Sequence, residues 1–159
     1  ICDNKGMVLE VFNSKSNSAL DEETSYLVLE LMKGVVDGGT GGRLRFRYGL
    51  TSTIAGKTGT TDNNSDGWFI GLNPKLATAV WVGGELRSIH FRSTALGQGA
   101  SMALPVYALF MKRCEKDPKL NFYKGDFDRP PTMSVDMDCS NYFQEIDQGT
   151  MEQERNKEW

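Results

Sequence analysis

Histidine is almost absent from this sequence: His90 is the only one in 159 residues. Any Ser-His-Asp or Cys-His mechanism would rest on it alone. Its place between Ile89 and Phe91 marks it as a structural or surface residue. Cysteine is scarce too. Cys2, Cys114 and Cys139 lie far apart, without the spacing of a zinc site, so no metal or other cofactor is expected. Three thiols cannot pair completely, so at least one is free or linked between chains. Cys114, in an apolar stretch, reads as a small buried residue. No apolar run approaches the roughly 18 residues that span a bilayer, and no signal peptide opens the chain. Positive charge is not in excess: 18 Lys and Arg face 21 Asp and Glu, a net −3. That balance gives no electrostatic case for a nucleic-acid partner. The start at Ile1-Cys2-Asp3, without methionine, is expected of a piece cut from a longer chain.

What is present is ordinary for a soluble globular protein, with a length of about one domain. The richest stretch chemically is Ile54-Ala55-Gly56-Lys57-Thr58-Gly59-Thr60-Thr61. It puts an ammonium, three hydroxyls and two glycines within eight residues. Small residues let a ligand approach the backbone, hydroxyls hydrogen-bond it, and lysine adds a compact charge. In an extended strand, Thr58 and Thr60 share one face while Lys57, Gly59 and Thr61 share the other. Such a strand at a sheet edge can hold an elongated ligand and its carboxylate. Two motifs compete here. A P-loop supplies Gly56-Lys57-Thr58 at its end but needs a glycine where Thr51 stands and a helix afterwards. A Lys-Thr-Gly element needs neither.

Taken in order, residues 6–12 read as a short strand after turn chemistry at Asp3-Asn4-Lys5-Gly6. A helix follows, capped by Ser18 or Asp21 and ended by Gly38 and Gly39. Val28, Leu31, Met32, Val35 and Val36 recur at helical spacing and are expected to face the core. The run Gly38-Gly39-Thr40-Gly41-Gly42 reads as a flexible turn. Arg43, Arg45 and Arg47 alternate with Leu44 and Phe46, which suits an extended segment with an exposed basic face, a solvated face being favoured over a phosphate site. Three strands come next, at 54–61, 68–72 and 77–83, and short links make them an antiparallel meander. Trp68 and Trp81 are expected to pack between sheet and helix. Residues 83–99 are irregular. A helix over 100–113 places Met102, Val106, Leu109, Phe110 and Arg113 on one side, with Pro105 starting its regular part or kinking it. The fold class is α+β, an antiparallel sheet flanked by helices. Beyond residue 113 the character changes to a proline-broken extension of unknown role, 114–159, with a short charged helix expected over 151–159.

Several segments together resemble one family. Met32-Lys33-Gly34-Val35-Val36, the Gly39-Thr40-Gly41 turn, Ala55-Gly56-Lys57-Thr58-Gly59-Thr60-Thr61, Asp66-Gly67-Trp68-Phe69-Ile70-Gly71, Ala79-Val80-Trp81-Val82-Gly83, Ala103-Leu104-Pro105 and Phe110-Met111 occur in the order found in class A penicillin-binding proteins. The resemblance covers about residues 5–113 and is to the C-terminal part of the transpeptidase domain. It implies a partial β-lactamase/transpeptidase-like fold. It implies a parent protein that cross-links peptidoglycan stem peptides through a serine acyl-enzyme, binds β-lactams and carries a glycosyltransferase domain upstream. It also implies anchoring at the periplasmic face of a bacterial inner membrane. Carried over by position, Lys57 would supply charge near the reacting serine and the substrate carboxylate. Thr58 and Thr60 would bind that carboxylate. The Thr60 amide would join the oxyanion hole, and Gly59 would allow close approach.

The departure from the family is what is missing. Neither Ser-x-x-Lys nor Ser-x-Asn occurs in the chain; Ser14-Lys15-Ser16-Asn17 fails the spacing. No catalytic residue is therefore expected here. The chain should supply the substrate-binding strand Lys57, Thr58, Gly59 and Thr60 to a site whose nucleophile lies upstream, and be inactive alone. A D,D-peptidase or β-lactamase relative and a non-catalytic peptide-binding module are the alternatives. A sheet lacking partner strands predicts a homodimer or strand exchange.

Overall fold

A computed structural model describes residues 1–13 and 17–137. Two compact units divide the chain, Ile1–Asp128 and Arg129–Trp159. In the second, residues 129–137 are described and contain no helix or strand. The helix expected over 151–159 and Cys139 lie outside the described residues, as do Ser14, Lys15 and Ser16.

The first unit holds α1 (Glu22–Asp37), α2 (Arg43–Phe46), β1 (Ala55–Thr60), β2 (Asp66–Asn73), β3 (Leu76–Gly83), α3 (Thr94–Gly97) and α4 (Gly99–Lys116). The strands form one antiparallel sheet in the order β1-β2-β3, with Lys57 opposite Ile70 and Trp68 opposite Trp81. The lysine strand is thus an edge strand, and α4 continues three residues past the expected end.

Local chemistry explains the elements. Asp21 caps α1, its carboxylate accepting from the Thr24 amide at 2.8 Å, while Glu22 and Glu23 sit at the positive end. Gly38 ends the helix with its N–H on Gly34 O. Asn63 and Asn64 take positive φ in the β1–β2 turn, where asparagine tolerates left-handed backbone.

The core lies between α4 and one face of the sheet. Phe69 and Tyr107 stack at 4.8 Å between centroids, and Val36, Leu44, Leu50, Ile54, Leu104 and Met111 close around them. Along β2, Gly67, Phe69, Gly71 and Asn73 are buried, while Trp68 and Ile70 are exposed, the alternation of a sheet covered on one side. Gly71 lies directly beneath the Tyr107 ring, leaving no room for a Cβ. Tyr107 Oη donates to Asn73 Oδ1 at 3.3 Å, and Asn73 Nδ2 donates to Thr53 O at 2.6 Å. These bonds satisfy polar groups that would otherwise be costly to bury. Burial pushes the Tyr107 phenol well above its ordinary pKa.

Four expectations are corrected. Residues 6–12 form no strand: only an isolated Cys2–Val8 bridge occurs, and Met7 to Phe12 are exposed because no sheet edge receives them. The arginine stretch is a helical turn, not extended. Trp68 (41% exposed) and Trp81 (48%) do not pack under a helix; they pair at 6.3 Å on the uncovered face. Finally, the α1 face expected in the core is mostly not buried. In α1 only Val36 is buried and Leu31 is 75% exposed. In α4 the buried positions include Ala103, Tyr107, Met111 and Cys114, whereas Val106, Leu109 and Phe110 are exposed. α4 carries two apolar stripes, and only one meets the sheet.

Candidate functional site

The free edge of β1 is where the chemistry gathers. Lys57 is exposed on the uncovered sheet face, with Ile70 and Trp68 beside it on β2. Its Nζ donates to Thr58 O at 2.9 Å, so the ammonium folds back along its own strand. Gly59 sits opposite Trp68 with no side chain of its own in the way.

Thr58 and Thr60 point to the other face, as strand alternation requires. Each hydroxyl is held. Thr58 Oγ1 lies 2.9 Å from Thr40 Oγ1, in the glycine turn after α1. Thr60 Oγ1 accepts from the Gly99 amide at 3.0 Å, at the start of α4. A hydroxyl that accepts a bond keeps its proton to donate. Thr60 can therefore donate outward, and the Thr40–Thr58 pair uses one of its two protons internally. Two O–H donors and an ammonium at one strand edge can hold a carboxylate.

The edge is held by its neighbours. Arg45 donates to Asp37 Oδ1 (2.8 Å), Leu50 O (2.9 Å) and Ser52 O (2.8 Å), fixing the approach into β1. Gly99 packs onto the Gly59 and Trp68 carbonyls, a contact that any Cβ would block. At the same end of the sheet Trp81 Nε1 donates to Asp66 Oδ1 at 2.9 Å, and Ser65 Oγ donates to Asp66 Oδ2 at 3.1 Å. These bonds, the indole first, hold the Asp66 carboxyl below its ordinary pKa.

Sequence reasoning missed Thr40 as a site neighbour, although it sits in the quoted Gly39-Thr40-Gly41 turn. It also missed the Asp66–Trp81 bond, which only the strand register discloses. The P-loop reading fails because Lys57-Thr58 lie inside β1, which is followed by a three-residue 3-10 turn (Asp62–Asn64) and β2, not by an α-helix. His90 is on the surface, its Nδ1 3.1 Å from Phe91 O. Among the described residues no cluster of His, Cys, Asp and Glu could hold a metal. No helix there is long and apolar enough to cross a membrane.

A three-stranded antiparallel sheet backed by α4 is part of the architecture of a transpeptidase fold. No family model matches the chain. Penicillin-binding protein 1B of Vibrio cholerae is 32% identical over 148 residues, which are 90% of this chain and 18% of that protein. Penicillin-binding protein 1A of Neisseria gonorrhoeae is 37% identical over 102 residues, 64% of this chain and 12% of that protein. The crystal structure of penicillin-binding protein 1A from Haemophilus influenzae superposes with a TM-score of 0.57 at 22% identity. That match covers 70% of this chain and 17% of the other, and shows the shared fold. The chain therefore belongs with the class A penicillin-binding proteins. It spans less than a fifth of the length of these relatives.

Proposed function

We propose that the chain is the C-terminal portion (1–113, with an extension over 114–159) of the transpeptidase domain of a peptidoglycan synthase. Its β1 edge binds the terminal carboxylate of stem peptides and of β-lactams. Lys57 supplies charge, Thr58 and Thr60 donate to the carboxylate, and Gly59 lets the ligand backbone approach. The Thr60 amide contributes to an oxyanion hole. The observation that carries this reading is the free, pre-arranged β1 edge, with both threonine hydroxyls already oriented by Thr40 and Gly99.

The nucleophilic serine belongs to an upstream segment, so the chain alone does not turn over peptide. The uncovered face of Trp68, Ile70 and Trp81 and the second free edge, at β3, are surfaces for that segment. Without it, strand-edge pairing between two copies is the expected state. A strictly monomeric species in light scattering at high concentration would contradict that last point. The parent is anchored on the extracytoplasmic face of a bacterial inner membrane.

The binding claim is tested by NMR titration with an acetylated peptide ending in D-Ala-D-Ala. Saturable shifts confined to the Lys57–Thr60 amides support it, and none at millimolar peptide contradicts it. The non-catalytic peptide-binding module predicts the same shifts, and differs in lacking Ser-x-x-Lys and Ser-x-Asn in the coding sequence upstream.

A further inference from the structure

The three arginines around α2 part company. Arg45 is taken up by Asp37 and two carbonyls. Arg43 and Arg47, at opposite ends of the turn, instead line a cavity of about 430 Å3 between α2 and the first turns of α4. Tyr48, Leu96 and Pro105 supply apolar walls, and Ser101 adds a hydroxyl. Among the described residues, no carboxylate lines the cavity and neither guanidinium forms an ion pair. In a chain of net charge −3, two unpaired guanidinium groups on one cavity are a local excess of positive charge.

Arg43 is pre-oriented. Its Nη1 donates to Ala100 O at 3.1 Å and Ser101 Oγ at 3.0 Å. Nη2 and Nε remain, with three N–H groups for a ligand. Arg47 is exposed, its guanidinium 5.9 Å from the Tyr48 ring centroid, and is free to swing onto an anion. A guanidinium fork matches a planar carboxylate. A bare phosphate would leave the apolar walls unused; a carboxylate on a short aliphatic stem uses walls and charge together.

We propose that the cavity between α2 and α4 binds the side-chain carboxylate of an acidic residue in a peptide. Arg43 and Arg47 clamp the carboxylate, and Leu96 and Pro105 receive its stem. The site stands apart from the role assigned to β1 and can fail or hold without it.

The test is an NMR titration of the full chain with N-acetyl-glutamate N-methylamide, whose only charge is the side-chain carboxylate. The Nε–H signals of Arg43 and Arg47 and the Leu96 amide should shift saturably, while the Lys57–Thr60 amides stay fixed. The glutamine counterpart should shift neither set. Arg47→Gln, at an exposed position that leaves the Arg43 anchor intact, should raise the Kd at least about fivefold. Equal binding of the glutamine compound, shifts confined to β1, or equal shifts with inorganic phosphate would each overturn the assignment. So would the absence of saturation by about 50 mM.

Discussion

Thr40 Oγ1 and Thr58 Oγ1 lie 2.9 Å apart, tying the glycine turn after α1 to the edge strand β1. The bond joins that turn to the strand edge proposed above to bind the substrate carboxylate. It orients a hydroxyl whose rotor would otherwise be free, and so lowers the ordering cost of receiving a carboxylate. In a version extended upstream to include the serine, Thr40→Ala should slow penicillin acylation by about three- to tenfold, the effect of losing one orienting hydrogen bond. Stopped-flow acylation checks this. An unchanged rate would remove Thr40 from the site.

The two faces of the sheet should respond differently to mutation. Phe69 is fully buried against Tyr107, so Phe69→Ala should cost about 3–5 kcal/mol. Trp68, its sequence neighbour, is 41% exposed on the uncovered face, and Trp68→Thr should cost less than about 1 kcal/mol. Urea denaturation of both variants checks the contrast. Equal losses would mean that something covers the Trp68 face.

Gly71 lies under the Tyr107 ring, where an added methyl must displace a packed aromatic. Gly71→Ala should destabilise by about 1–3 kcal/mol by overpacking. The double variant Gly71→Ala/Tyr107→Leu should recover part of the loss. Additive losses in a thermal-melt cycle would show that the ring is not the obstacle.

Asp66 gives the fold an acid-side dependence. Its folded pKa is lowered, chiefly by the Trp81 indole N–H, then by Ser65 and Thr61 and by the charge of Arg87. A depressed carboxyl contributes stability above its ordinary pKa of 3.8 and loses it as pH falls through the lower folded value. The loss should appear below about pH 4, and Asp66→Asn should shallow it. Asp21, lowered by bonds from Thr24, adds a loss of the same sign that the Asn variant leaves in place. Melting temperatures at pH 3, 4 and 6 check the slope; an identical slope in the variant would contradict the assignment.

Much of this was legible in the sequence, for identifiable reasons. The strands were readable because turn chemistry at Asp62-Asn63-Asn64 and Asn73-Pro74 brackets them, and α1 because Asp21 and Gly38 mark its ends. The candidate strand stood out from the density of Lys57, Thr58, Gly59 and Thr60, but its place at the sheet edge comes only from the strand order. What failed is a question of which side gets covered. Apolar periodicity identifies a face but not its partner, so Val28 and Leu31 on α1 read as core although both are exposed, and on α4 the one-sided set Val106, Leu109 and Phe110 is exposed while another stripe is covered. The covered stripe, Ala103, Tyr107 and Met111, is carried partly by small residues. Trp68 and Trp81 misled in the same way. Arg43 and Arg47 looked like a strand's polar face because alternation over five residues fits a single helical turn equally well.

The split-site reading stands or falls on where the nucleophile is. The direct measurement is the intact mass after incubation with a penicillin, on this chain and on a version extended upstream. No adduct on the chain and one adduct on the extended protein, slowed by Lys57→Ala, is the expected result. An adduct on the chain alone would show that it carries its own reactive nucleophile, and would contradict the placement of the serine upstream.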